Sequence, residues 1–182
     1  MTSIFQISFF ERSKLSMVYK HLDNRQTATV EDVIIAAQQA IEEHPREWIL
    51  LFFLADHLQK TGRYAEAMPI CQKAVELNPN DVRPLYTLAT NYNILTRAAW
   101  TTEDMKKAKE MMKGIIRESD EIFDPNVSRS ELTKLGIDID IAALQAIRWF
   151  ERALALNSDN ASRSQIGWDL ATLYKRFPHL KA

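Results

Sequence analysis

The chain has 182 residues, of which 46% are hydrophobic and 26% are charged, a balance that excludes an intrinsically disordered polypeptide. The net charge is −1, so the chain as a whole carries no excess charge to attract nucleic acid or an anionic membrane. The length fits one domain or one short solenoid.

Cys71 is the single cysteine, which excludes an intramolecular disulfide and a cysteine-based zinc site. The apolar start, residues 1–10, has no basic leader and is too short for a secretion signal. No apolar run approaches the roughly 20 residues that span a bilayer. These features predict a cytoplasmic protein, although a soluble piece of a longer anchored protein has the same features.

Apolar residues recur at spacings of three and four, and only four glycines and six prolines interrupt them, which predicts helices throughout and no sheet. The first helix is predicted around Leu15 to Leu22. A second helix follows, with Val33, Ala37, Ala40 and Ile41 on its apolar face and Pro45 at its end.

A repeat of 34 residues begins in this second helix. Three pairs of residues share the period: Ala40 with Ala74, Pro45 with Pro79 and Leu54 with Leu88. Within residues 48–81 a first helix has large and small apolar side chains at Leu51, Leu54, Ala55 and Leu58. A turn at Gly62 and Tyr64 precedes a second helix with Ala67, Cys71, Ala74 and Pro79 at the corresponding positions.

This segment resembles the tetratricopeptide repeat along its whole length. The resemblance implies an all-α, right-handed superhelical solenoid of antiparallel helix pairs in one domain spanning residues 1–182. The approximate repeats are 14–47, 48–81, 82–120 and 121–160, followed by a capping helix at 162–177.

The units after residue 81 are less regular. The apolar face of the first helix of the third unit consists of Leu85, Leu88, Ala89 and Tyr92. Its second helix is predicted to start late, at the signal Thr101 with Asp104, and to carry Ala108, Met112 and Ile115.

The segment from Asp120 to Asp140 departs most from the pattern, because only Ser130 to Leu135 is left to form a first helix there. Asp140 is predicted to cap the next helix, which has Ala146, Phe150 and Ala153 at the repeat positions. Ile166, Leu170, Ala171 and Tyr174 predict a terminal helix that Phe177-Pro178 stops.

The resemblance implies a scaffold that binds a partner protein on the face formed by the first helices, and no enzyme. The residues at the corresponding positions are Phe52, Phe53, Asp56, Gln59, Tyr86, Thr87, Thr90 and Asn93. The lysine and asparagine with which some relatives clamp a terminal carboxylate are replaced by Phe52, Asp56 and Thr87. An apolar helix or extended peptide therefore suits the predicted groove better.

Alternatives remain open at this point. The aromatic residues could pack internally, under the apolar front segment Ile4, Phe5, Ile7, Phe9 and Phe10, and that segment could drive formation of a homodimer. A basic stripe could receive an acidic tail or be an ordinary solvated helix face; it consists of Lys109, Lys113 and Arg117.

Few residues resemble catalytic or metal-binding motifs, and no cofactor is predicted. His21, His44, His57 and His179 have no pair spacing that would hold a metal on one helix face. Cys71 falls at a packing position. The carboxylates of Asp120, Glu121, Asp124, Asp138 and Asp140 match no calcium loop, so helix capping is preferred for them over a metal-binding or enzymatic role.

Overall fold

The computed structural model describes residues 9–22, 27–104, 106, 110, 125–157 and 160–181. Every long regular element within these ranges is an α-helix. The helices are α1 (Phe9–Lys20), α2 (Val30–Glu43), α3 (Trp48–Lys60), α4 (Tyr64–Leu77), α5 (Val82–Leu95), α6 (Pro125–Leu135), α7 (Ile139–Leu156) and α8 (Asn160–Arg176). Short 3-10 turns follow α5 at Thr96–Ala99 and α8 at Pro178–Leu180.

Capping residues set several helix starts. The Thr29 hydroxyl accepts a hydrogen bond from the Asp32 amide at 3.2 Å, and the Asp32 carboxylate accepts one from the Thr29 amide at 2.8 Å. Thr101 and Asp104 make the same reciprocal pair, which confirms the start signal predicted there. Asp138, not Asp140, caps α7, because the helix already begins at Ile139 and the Asp138 carboxylate accepts from the Ile141 amide at 2.8 Å.

The α3–α4 pair is formed as its sequence predicts. Gly62 has φ +76° in the turn, a left-handed conformation that side chains with a Cβ resist. Ala67, Cys71 and Ala74 are completely buried on α4, and their small side chains allow the two helices to approach closely. The pair packs against α2 on one side and α5 on the other, so these helices stack in chain order. The all-α repeat fold is thereby confirmed.

The next pairing in space skips a segment of the chain. Among the described helices, α5 packs most extensively on α7, although residues 96–138 separate them in sequence. Ala146, Phe150 and Ala153 of α7, the predicted repeat positions, are completely buried. Most of the second helix predicted to follow Thr101, including Ala108, Met112 and Ile115, lies outside the described residues, so the repeat boundaries 82–120 and 121–160 stay predictions.

Helix α6 is longer than the short stretch predicted from Ser130, since it begins at Pro125. It lies against α4 and the end of α5. The Ser128 hydroxyl donates to the Ile94 carbonyl at 3.0 Å, and the Arg129 Nε donates to the Ala98 carbonyl at 3.2 Å. Helix α6 therefore closes the end of the stack where α3 turns into α4 and where α5 stops.

The chain end follows the prediction. Ile166 and Leu170 of α8 are buried, and the helix stops at Arg176, just before Phe177 and Pro178. None of the described helices is both long enough and apolar enough to cross a membrane.

Candidate functional site

The eight predicted groove residues form four pairs separated by the 34-residue period: Phe52 and Tyr86, Phe53 and Thr87, Asp56 and Thr90, and Gln59 and Asn93. The first member of each pair lies on α3 and the second on α5. Because α3 and α5 contact each other directly, the two helices present equivalent positions side by side.

Two of the eight residues do not line an open surface. Phe52 is only 9% exposed and packs at 6.4 Å from the Trp48 ring, and Thr87 is only 5% exposed. Tyr86 also makes internal contacts, because its ring meets Phe150 of α7 edge-on at 5.6 Å. Internal packing, the alternative left open by the sequence, describes these positions better than an aromatic groove does. Of the front segment considered as the cover, Ile4, Phe5 and Ile7 lie outside the described residues, and Phe9 and Phe10 begin helix α1. Whether this segment covers the aromatic residues therefore stays a prediction.

Four of the remaining groove residues are polar, half-buried and paired by the period. We call Asp56, Gln59, Thr90 and Asn93 the α3–α5 polar face. Asp56 also forms an ion pair with Lys60 at 2.5 Å, one helical turn away. Phe53 is the half-buried aromatic residue next to this face, with its ring 4.2 Å from the ring of His57. The described surface of α3 and α5 is therefore richer in hydrogen-bonding groups than in aromatic anchors.

A second constellation joins α5 to α8, and we call it the α5–α8 junction. Its members are Tyr86, Arg97, Trp100, Gln165, Asp169 and Arg176. The Tyr86 hydroxyl donates to the Asp169 carboxylate at 3.2 Å, and the Gln165 amide donates to the same oxygen at 3.4 Å. The guanidinium carbons of Arg97 and Arg176 each lie 5.2 Å from the centre of the Trp100 ring.

Burial dominates the electrostatics of this junction. It raises the pKa of the Asp169 carboxyl and of the Tyr86 hydroxyl, and it lowers the pKa values of Arg97 and Arg176. The charge of Arg176 lowers the pKa of Arg97 further, while Tyr64 and Asp169 act in the opposite direction. The guanidinium groups of Arg97 and Arg176 thus lie near each other in a partly desolvated environment.

Sequence reasoning identified Tyr86 but not the rest of the junction. One signal was available, since Tyr86, Thr90, Asn93 and Arg97 follow one another at helical spacings of four, three and four on a single face. No local pattern, however, indicates that α8 lies beside that face.

The family model described as Tetratricopeptide repeat matches residues 48–81. Residues 48–81 are a tetratricopeptide repeat. A search of curated proteins found no match. A solved structure titled "MamA D159K mutant 1" is similar at 14% sequence identity and a TM-score of 0.37, covering 93% of this chain and 90% of that chain.

The acidic residues of the irregular segment Asp120 to Asp140 do not form a cluster in the described part of the chain. Asp138 caps α7, and the exposed carboxylate of Asp140 lies 3.2 Å from His179. Within the described ranges no group of three or more His, Cys, Asp or Glu side chains is placed to hold a metal ion. Asp120, Glu121 and Asp124 lie outside these ranges, as do the residues of the basic stripe, Lys109, Lys113 and Arg117.

Cys71 and His57 both make contacts within the packed helices. Cys71 is completely buried in the repeat, and burial raises the pKa of its thiol to about 12. His57 lies within 2.8 Å of the Phe53 carbonyl through its Nδ1. A thiol that stays protonated near neutral pH is a poor nucleophile, so Cys71 acts here as a small packing residue.

Proposed function

We propose that this protein is an interaction scaffold that binds a segment of a partner protein on the α3–α5 polar face. The tetratricopeptide repeat is typical of proteins that bind other proteins rather than of enzymes. Catalysis therefore forms no part of the proposal, and neither does a cofactor.

The observation that carries the proposal is the repetition of half-buried polar side chains at equivalent positions of two adjacent helices. Asp56 and Thr90 form one such pair, and Gln59 and Asn93 form the next. The amides of Gln59 and Asn93 can donate and accept hydrogen bonds and the Asp56 carboxylate can accept them, whereas the Thr90 hydroxyl oxygen is buried. The regular spacing of the accessible groups suits the repeating backbone groups of a bound segment. The half-buried Phe53 beside them adds apolar contact area.

The double substitution Gln59→Ala/Asn93→Ala tests this proposal. Gln38→Ala/Asn80→Ala is the matched control, because Gln38 and Asn80 are exposed and lie on other elements. Tagged wild-type and variant proteins are used for affinity capture from the source cells, followed by quantitative mass spectrometry. We expect at least one partner to be lost only from the Gln59→Ala/Asn93→Ala sample. Equal recovery of every captured protein, with unchanged melting temperatures, contradicts binding on this face.

Self-association into a homodimer is the second candidate. Trp168 on α8 is 57% exposed, which is unusual for so large an apolar side chain. Sedimentation velocity of the wild type, of Trp168→Ala and of a variant without residues 1–10 tests it. A concentration-independent monomer in all three samples rules out this candidate.

A further inference from the structure

We infer that helix α8 extends the α3–α5 polar face, where Trp168 contacts an aromatic side chain of the bound segment and Lys175 contacts an acidic one. The inference rests on the proposed function, because it assumes that a partner segment lies on this face. It adds the chemistry of that segment, which the α3–α5 polar face alone leaves open.

Helix α8 repeats part of the sequence of α5. Residues 88–92 read LATNY and residues 170–174 read LATLY, so four of the five positions are identical. Leu88 and Leu170 are both buried, and α8 packs on the preceding helix α7 as α5 packs on α4. Helix α8 therefore takes the place of a first helix in the stack, like α3 and α5.

The alignment gives each first helix an equivalent column of three residues. The columns are Phe52, Asp56 and Gln59 on α3, Tyr86, Thr90 and Asn93 on α5, and Trp168, Thr172 and Lys175 on α8. Spacings of four and three residues place the members of a column on one face of their helix. The Tyr86 hydroxyl donates to the Asp169 carboxylate at 3.2 Å, so α5 and α8 lie side by side at this level. The α8 column thus continues the α3–α5 polar face.

Trp168 differs in exposure from the aromatic residues at the equivalent positions. Phe52 is 9% exposed and packs beside Trp48, and Tyr86 packs edge-on against Phe150, whereas Trp168 is 57% exposed. An exposed indole offers a large, rigid contact area at little cost in side-chain entropy, and tryptophan is enriched among the residues that carry binding energy. Trp168 can therefore receive an aromatic side chain of the segment, while its two equivalents are covered.

The exposed side of α8 carries positive charge at its end. Lys175 is exposed and Arg176 follows it, with Asp104 acting on Arg176 electrostatically. The one acidic residue in the sequence of α8, Asp169, is buried beside Tyr86. An acidic side chain complements this surface. A two-fold contact through α8 would set the positive surface against itself, so a partner segment suits it better than a second copy.

Selection from a displayed library of random peptides tests the chemistry of the segment without assuming its sequence. The library is selected in parallel on the full wild-type chain, on Trp168→Ala and on Lys175→Gln. We expect the peptides selected on wild type to share an aromatic residue and an Asp or Glu at a constant spacing. Trp168→Ala should lose the aromatic preference and Lys175→Gln the acidic one. No consensus on wild type, or the same consensus on all three proteins, overturns the inference.

Anisotropy titrations of the labelled consensus peptide measure each contact at low ionic strength. Trp168→Ala is expected to weaken binding about tenfold or more. Lys175→Gln is expected to weaken it about two- to fivefold, because solvent screens the ion pair. The matched controls are Leu77→Ala and Lys73→Gln, since both residues are exposed on α4. Equal losses in the control variants mean that the peptide binds non-specifically and overturn the site.

A charge-neutral peptide gives a second readout. With glutamine in place of its acidic residue, the consensus peptide should bind Lys175→Gln as tightly as wild type, because the two groups act on each other. A further loss of affinity in this combination places the acidic residue elsewhere and overturns the contact with Lys175. Melting temperatures should match wild type in all variants, since the substituted side chains are exposed.

Other results separate this inference from the proposed function. A consensus peptide that Gln59→Ala/Asn93→Ala weakens but Trp168→Ala and Lys175→Gln leave unchanged supports the α3–α5 polar face and overturns its extension to α8. Full affinity in Gln59→Ala/Asn93→Ala with loss in the α8 variants contradicts a continuous face. A dimer in sedimentation velocity that Trp168→Ala dissociates means that a second copy covers Trp168, and this also overturns the inference.

Discussion

The Glu131 carboxylate accepts a hydrogen bond from the backbone amide of Ala65 at 2.6 Å, although the two residues are 66 positions apart in the chain. Ala65 lies in the first turn of α4, where backbone amides have no partner within the helix. Arg63, which precedes that helix, provides no capping side chain, and Glu131 is only 3% exposed. Helix α6 thus caps the second helix of the tetratricopeptide repeat from outside the repeat.

Glu131→Ala is expected to lower the free energy of unfolding by about 1 to 2 kcal/mol, because the Ala65 amide loses its acceptor in a partly buried place. Lys134→Ala is the control, since Lys134 is largely exposed and pairs with the same carboxylate. Its removal is expected to destabilise the fold less than the removal of Glu131 does, because solvent screens an ion pair of so exposed a lysine. Urea denaturation measures both changes. Wild-type stability in Glu131→Ala contradicts a capping role.

Gly62→Ala and Gly167→Ala are expected to change stability in opposite directions. Gly62 has φ +76°, so an alanine there is strained and costs about 1 kcal/mol. Gly167 lies within α8, and apart from its chain neighbours and the backbone of its own helix no atom of the described residues lies within 4 Å of the position that a Cβ would take. Alanine is therefore expected to stabilise by about 0.5 to 1 kcal/mol. Thermal unfolding of the two variants checks the signs. A stabilising Gly62→Ala means that the turn relaxes to another conformation.

Cys71 is expected to resist alkylation in the folded protein. Burial raises the pKa of its thiol to about 12, and only the thiolate reacts. Iodoacetamide near pH 8, followed by mass spectrometry, should label the chain only after guanidinium denaturation. Raising the pH should accelerate labelling of the denatured chain but barely affect the folded one. Equal labelling rates of folded and denatured chain mean that Cys71 is accessible.

The pKa of Asp169 is raised in the folded state, first by burial, and this predicts a specific pH dependence. The folded chain binds more protons than the unfolded one between the two pKa values, so the contribution of Asp169 to stability falls as pH rises through that window. Asp169→Asn cannot ionise and still offers an oxygen to the Tyr86 hydroxyl.

Asp169→Asn should therefore gain stability relative to wild type as pH rises from about 4 to about 7. Melting temperatures of both proteins across this range measure the difference. Asp140→Asn is the control, because Asp140 is exposed on α7. The opposite result would be that Asp169→Asn loses melting temperature relative to wild type as the pH rises. Ionised Asp169 would then stabilise the fold, for example through Arg97, and burial would not be the dominant effect on its pKa.

Much of the fold could be predicted from local pattern. At a distance of 34 residues the apolar pattern of α2 recurs in α4 and that of α3 recurs in α5. Gly62 marks a turn, and the pair Thr101 and Asp104 marks a helix start, by their own chemistry. Less of the candidate site could be predicted. Phe52 and Asp56 lie on the same helix only one turn apart, yet Phe52 is buried and Asp56 is half-exposed, because neighbouring helices decide which part of the apolar face is covered.

By itself the sequence determined that the chain is helical, that residues 48–81 form a repeat and that Ala67, Cys71 and Ala74 are buried inside it, because these follow from spacings of a few residues. Only the tertiary structure decided that α5, among the described helices, packs most extensively against α7. It also decided that Glu131 caps α4 and that Arg97 and Arg176 meet at Trp100. Each of these contacts joins segments brought together by packing across the whole stack. Helical periodicity shows which face of a helix is apolar, but it carries no information on which distant element covers that face.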